Sequence, residues 1–130
     1  MARILIIDDD EVVRLTTGAI LTADDHEVAY AQNGEIGVSM YAGKRFDAVV
    51  VDLIMPVKNG LRTIRELREM DPGVRVIAMT GTAPEDLDLA ADLGAIHTLM
   101  KPIDAGRLRA AVDGLLESKQ GEWGDSRRWE

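Results

Sequence analysis

Four places in this 130-residue chain hold side chains suited to managing charge: Asp8-Asp9-Asp10, Asp52, Thr80 and Lys101-Pro102. Each stands where a short apolar run stops, the runs being Arg3–Ile7, Asp47–Val51, Val74–Met79 and Ile96–Met100. If those ends converge, the repulsion among their carboxylates must be offset by a cation or by protonation. A hard divalent ion fits such a set. Mg2+ takes one or two carboxylates together with waters and phosphate oxygens, and Mn2+ shares the preference for oxygen.

Taken singly, each residue has an ordinary structural role. The aspartates could cap a helix, Asp10 above all. Asp52 could be a turn residue ahead of Pro56 and Asn59-Gly60, Thr80 a hydroxyl bonded to backbone, and Lys101 a solvated charge. All four readings would have to hold at four separate strand ends, and that coincidence favours a common site.

The elements that must position these residues are legible as an alternation of short apolar runs and longer stretches of helical spacing. A fifth run, Glu27–Ala31, is more polar and predicts an edge strand. Ile4–Ile7 and Ala48–Val51 are apolar on both faces, as in strands of a parallel sheet covered on each side. Leu108, Ala111, Val112 and Leu115 fall at i, i+3, i+4 and i+7, so a helix there should pack on the sheet despite Gly106 and Gly114. Leu61, Ile64 and Leu67 predict another over 60–70, with Arg62/Glu66 and Arg65/Glu69 as exposed i, i+4 pairs. Asn33-Gly34-Glu35 should open a helix that Gly43 ends. Thr82-Ala83-Pro84-Glu85 has the pattern of a capping box, with Gly94 at the far end.

Five strand–helix units predict an α/β fold: a single doubly wound five-stranded parallel sheet, order 2-1-3-4-5, with five helices. Ligands in such sheets bind beyond the carboxyl ends of the strands where the order reverses, next to the first and third strands. Asp8-Asp9 and Asp52 end those two runs.

Composition narrows the alternatives. One domain of this length is expected. The formal charge is -8, from 23 acidic and 15 basic residues, which argues against nucleic-acid or anionic-membrane binding as the main function. The chain has no cysteine and only His26 and His97, so thiolate chemistry and histidine-rich metal sites are excluded. The opening apolar run stops at three acids and does not resemble a signal peptide, and no run approaches a membrane span, so a cytoplasmic protein without membrane insertion is expected.

The residues Ile-Leu-Ile-Ile-Asp8-Asp9, Asp52-Leu-Ile-Met-Pro56 with Gly60 beyond, Ile-Ala-Met-Thr80-Gly81 and Met-Lys101-Pro102 resemble the receiver domain of two-component response regulators, in order and at matching spacing. The match covers residues 2–118, leaving 119–130 as a polar tail without an output domain. This flavodoxin-like fold has the 2-1-3-4-5 order, for which the chemotaxis member of the family is the standard example.

The resemblance implies that Asp52 is the phosphoacceptor, whose carboxylate attacks phosphorus to give an acyl phosphate. Asp9 matches the direct Mg2+ ligand, Asp8 a helper acting through water, and the backbone carbonyl of Ile54 the remaining protein ligand. Thr80 matches the hydroxyl that bonds the phosphoryl group, Lys101 the ammonium that pairs with Asp52, and the Lys101–Pro102 bond one usually cis. The expected donor is a histidine kinase or phosphotransfer protein, and the expected output is a changed surface on the fourth helix, fifth strand and fifth helix, read by a downstream protein. The chain would be a monomer or a phosphorylation-dependent dimer, a switch acting only on itself rather than an enzyme with a separate substrate.

Some positions depart from the family pattern. The aromatic often found three residues before the lysine is Thr98, with His97 adjacent, so an aromatic rotamer change cannot carry the output. Ile54 and Thr82, two residues beyond Asp52 and Thr80, border the route of attacking water in the family, and a bulky Ile54 predicts slow self-dephosphorylation. Met55, Met79 and Met100 are expected to fill the core. Trp123 and Trp129 in the tail either dock on the body or a partner or lie in a disordered segment.

Three competing functions fit the sequence less well. A haloacid dehalogenase-type phosphatase also uses an aspartyl phosphate, but needs an acid where Ile54 stands. An FMN carrier would have a Gly, Ser and Thr-rich first loop rather than an acidic one. A receiver-like module that only binds protein would not need all five site residues.

Overall fold

The five apolar runs form strands β1 (Arg3–Ile7), β2 (Glu27–Ala31), β3 (Ala48–Asp52), β4 (Val76–Thr80) and β5 (His97–Met100). They alternate with α1 (Glu11–Ala23), α2 (Gly34–Gly43), α3 (Gly60–Met70), α4 (Pro84–Leu93) and α5 (Ala105–Asp125). The computed structural model describes residues 1–55, 58–81 and 84–125, and the side chains of Pro84 and of 118–125 lie outside that description. All four strand pairings are parallel and the order is β2-β1-β3-β4-β5, as the alternation predicts.

The period of two along each strand sends successive side chains to opposite faces. Ile4 and Ile6 join Val50, Ile77, Leu108, Val112 and Leu115 in one apolar cluster. Leu5 and Ile7 join Val51, Ile64, Leu67 and Ala78 in the other. Each face is covered by helices, so β1, β3 and β4 carry no polar alternation. Full burial of a side chain such as Ile6 or Ile77 stabilises the fold by about 1.5–3 kcal/mol.

Helix starts follow side-chain chemistry. Asp10 caps α1 through Oδ1, which accepts from the amides of Val12 and Val13 at 2.9 and 3.2 Å, a device worth about 1 kcal/mol. Asn33 and Asn59 cap α2 and α3 in the same way. The capping box expected at Thr82 falls on residues outside those described. Gly94, which follows α4, has φ +125°, a conformation that only glycine adopts without strain.

Several boundaries differ from the sequence reading. β3 and β4 start later than the runs Asp47–Val51 and Val74–Met79 and take in Asp52 and Thr80 as their last residues. The cause is the ladder: Asp52 still pairs with Met79 and Thr80 with Met100, whereas the Val74 amide turns back to the Asp71 carbonyl. α5 continues past residue 118 to Asp125, so the backbone of Trp123 is helical, while Trp129 lies outside the described residues. Arg62 and Glu66 close at 3.0 Å, but Arg65 and Glu69 form no ion pair among the described residues. Met55 and Met79 are buried, whereas Met100, 44% exposed, is not core filler, because it lies on the less covered side of an edge strand.

Candidate functional site

Register brings the acids together. β1 and β3 pair with Ile7 opposite Val51, so Asp8 and Asp52 follow side by side where the two strands end. Asp8, Asp52 and Thr80 are almost wholly buried, and Asp9 is exposed at the rim. One oxygen from each of Asp8, Asp9 and Asp52 falls within 4.8 Å of the others. Lys101 follows β5, with its amide on the Thr80 carbonyl at 2.8 Å and its peptide bond to Pro102 cis. The structure therefore gathers Asp8, Asp9, Asp52, Thr80 and Lys101 at one pole of the sheet.

The local geometry is built from few bonds. Asp8 donates its amide to Ala31 at 3.1 Å, and its Oδ1 accepts from the Asp10 amide at 2.9 Å. Lys101 Nζ stands 3.2 Å from Asp8 Oδ2 and 3.3 Å from Asp52 Oδ1. The first is a charge contact outside hydrogen-bond geometry, so Asp8 Oδ2 is a buried oxygen without a donor. Asp52 Oδ1 also accepts a long bond, 3.4 Å, from the Ile54 amide. Gly60 lets α3 approach: a Cβ there would lie 2.4 Å from the Asp52 carbonyl oxygen.

The electrostatics are those of two buried carboxylates sharing one ammonium. Burial, and next the charge of Asp8, push Asp52 up to about 6, and Lys101 offsets only part of this. Burial alone would depress Lys101, yet the charges of Asp52 and Asp8 raise it above its ordinary value. The buried Asp8 oxygen, the raised Asp52 and the exposed Asp9 form an all-oxygen donor set with an excess of negative charge, which fits a hard divalent cation. A second cluster, Asp24, His26 and Asp113, is of another kind. His26 Nδ1 accepts from the Ala2 amide at 3.0 Å, so in the neutral ring Nε2 carries the proton and has no lone pair for a metal.

Comparison with known proteins decides the family. Residues 4–113 match the family profile described as the response regulator receiver domain. The chain belongs to that family. "Protein CcdB" of Bacillus subtilis is 31% identical over 118 residues, covering 89% of this chain and 98% of that protein. "Response regulator receiver protein Anae109_2439" of Anaeromyxobacter sp. is 34% identical over 109 residues, 83% of this chain and 46% of that one. The chain thus spans about half of some curated relatives, and 26% of the "Transcriptional regulatory protein GlrR" of Escherichia coli. A receiver domain structure from Clostridium thermocellum superposes with a TM-score of 0.88 at 29% identity, covering 92% of this chain and 98% of its own. A CheY-like one from Methanospirillum hungatei gives 0.88 at 26%, covering 93% and 98%. No helix among the described residues is long and apolar enough to cross a membrane.

Two residues at the receiver site escaped the sequence reading. Arg14 Nη1 donates to the Asp8 carbonyl at 2.8 Å, and Lys58 Nζ meets Glu66 Oε1 at 2.6 Å, tying the loop after β3 to α3. A lone arginine one helical turn after an acidic N-cap was a usable signal for the first. Lys58 offered none, because its partner comes from tertiary packing.

Proposed function

We propose that this receiver domain accepts a phosphoryl group on Asp52 from a histidine kinase or phosphotransfer protein and thereby switches its affinity for a downstream protein. The observation that carries this reading is the contact of Lys101 with both buried carboxylates beside the exposed Asp9. An Asp52 oxygen attacks phosphorus, the phosphorus–nitrogen bond of the donor breaks, and the imidazole leaves with its proton. The carboxylate needs no general base, since it is ionised at neutral pH. Asp9 and Asp52, the Ile54 carbonyl, and Asp8 through water would hold Mg2+ or Mn2+. That cation, when bound, supplies positive charge against the phosphoryl oxygens. Lys101 exchanges its pairing with Asp52 for a phosphoryl oxygen, and the Thr80 hydroxyl donates to another.

Exposed apolar side chains support partner docking. On α1, Val12 and Leu15 are 73% and 49% exposed beside the site, suited to a donor that must bring its histidine to Asp52. Leu89, Ile96 and Met100 are exposed on the α4–β5 side, where with α5 a changed surface would be read by a protein effector. With Thr98 exposed in place of an aromatic, that output does not run through an aromatic rotamer change. The reading includes a cytoplasmic location, a monomer or phosphorylation-dependent dimer, a receiver over 1–118, and no catalysis beyond the protein's own phosphorylation and dephosphorylation.

The test is incubation with Mg2+ and acetyl phosphate or a phosphorylated histidine donor, followed by intact-mass measurement. Wild type should gain one labile phosphoryl group and Asp52→Asn none. Wild type left unmodified by every donor would remove the proposal.

A further inference from the structure

We infer that Arg14 is the positioning residue of this site: its guanidinium fixes the peptide plane between Asp8 and Asp9 and so aims the Asp9 carboxylate into the acidic pocket. The inference rests on the metal-binding reading above. Asp8 is held by its amide, by Oδ1 and by the charge of Lys101. The exposed Asp9 side chain has neither hydrogen bond nor ion pair among the described residues. Its direction therefore depends on the backbone that carries it. The Asp8 carbonyl belongs to the same peptide plane as the Asp9 amide, and Arg14 Nη1 holds that carbonyl at 2.8 Å.

The helix explains why this residue reaches. The Arg14 amide donates to the Asp10 carbonyl at 2.9 Å, placing Arg14 one turn above the N-cap of α1. Helical side chains lean toward the N-terminus, so a long side chain there extends back over the β1–α1 turn. The Asp8 carbonyl lies beyond the last rung of β1, and a charge-assisted bond is stronger than a neutral one.

Arg14 acts on a bound cation in two opposing ways, and the opposition makes the idea testable. As a positive charge near the pocket it repels the ion. As the clamp on the Asp8–Asp9 peptide it orders a ligand, and residues that orient metal ligands typically set affinity by 10–100-fold. Positioning should win, because the charge effect is screened by water at the rim.

The experiment is titration with Mn2+ alone, read by electron paramagnetic resonance or calorimetry, on wild type, Arg14→Met and Asp9→Asn. Arg14→Met should weaken binding about tenfold, persisting at high salt. Unchanged or tighter binding would mean that Arg14 contributes only its charge, and would overturn the inference. Arg14→Gln, neutral and shorter, carries the same test if the methionine variant does not fold. Wild type that binds no Mn2+, or an Asp9→Asn variant that binds as well, would instead sink the metal-site reading beneath it.

Discussion

Lys101 Nζ stands 3.3 Å from Asp52 Oδ1 while also facing Asp8 at 3.2 Å, so one ammonium serves two buried carboxylates. The pocket is short of positive charge by about one unit, and Asp52 is raised first by its burial and next by the charge of Asp8. Strain of this kind is usual where a protein keeps a site for a ligand at the expense of stability.

Asp52→Asn should therefore stabilise the metal-free protein at neutral pH. The sign follows from the shift. Asp52 binds its proton more tightly folded, at about 6, than at the ordinary 3.8, so stability falls as pH rises between those values and stays lower above them. At 1.36 kcal/mol per unit the upper bound is about 3 kcal/mol. Thermal unfolding in EDTA should show a higher Tm for Asp52→Asn at pH 7.5 and no gain at pH 3.5. An equal Tm at pH 7.5 would contradict the charge imbalance.

Lys101→Met should do the reverse. Lys101 is raised in the folded state, so its stabilisation is complete below the ordinary lysine range and is lost only as pH rises through the folded value. At pH 7.5 its removal leaves two buried carboxylates unpaired, at a cost of about 2–4 kcal/mol after allowance for its 20% exposure. The loss should shrink below pH 4, where Asp52, raised to about 6, is protonated. Denaturant midpoints at both pH values check this, and the same variant should phosphorylate far more slowly with acetyl phosphate.

Much of this was legible in the sequence because it rests on local rules. Sheet order followed from apolar runs such as Ile4–Ile7, and Asp10 announced itself as a cap. Asp8, Asp52, Thr80 and Lys101 were recognisable from ordered spacing at strand ends. What was not legible depends on packing between elements. Periodicity could not say that β3 pairs one residue further, through Asp52, or that edge position exposes Met100. Nor could it give the reach of Arg14 or the tie between Lys58 and Glu66, which need the third dimension.

Mg2+ should stabilise the fold through the same pocket. A ligand at a hundredfold over its Kd adds about 2.7 kcal/mol, and relief of the repulsion between Asp8 and Asp52 is the physical source here. Tm should rise with millimolar Mg2+ in wild type, return with EDTA, and stay flat in Asp9→Asn. A rise of equal size in Asp9→Asn would move the ion elsewhere.

Gly60→Ala should damage the site from beneath. Its Cβ would meet the Asp52 carbonyl oxygen at 2.4 Å and the Leu53 Cα at 2.5 Å, both backbone atoms that move only with β3 and its loop. Overpacking of this kind costs about 1–3 kcal/mol. Because the displaced atoms belong to Asp52 and its neighbour, phosphorylation by acetyl phosphate should slow as well, whereas Gly43→Ala, where no atom lies within 4 Å, should change neither. Wild-type stability in Gly60→Ala would refute the close approach of α3.

Ile54 should lengthen the life of the phosphorylated state. Its side chain is 50% exposed two residues beyond Asp52, while its amide holds Asp52 Oδ1, so the branched group stands at the mouth of the pocket rather than in the core. Hydrolysis of an acyl phosphate needs a water in line with the phosphorus–oxygen bond, and an apolar group there neither admits nor orients that water. Ile54→Asn supplies a hydrogen-bonding amide in similar space. It should shorten the half-life of the phosphorylated protein severalfold without a comparable change in the rate of phosphorylation, because the nucleophile and the positions of Asp9 and Lys101 are untouched. Following loss of the phosphoryl group by intact mass after removal of the donor measures this, and an unchanged half-life would rule out shielding by Ile54.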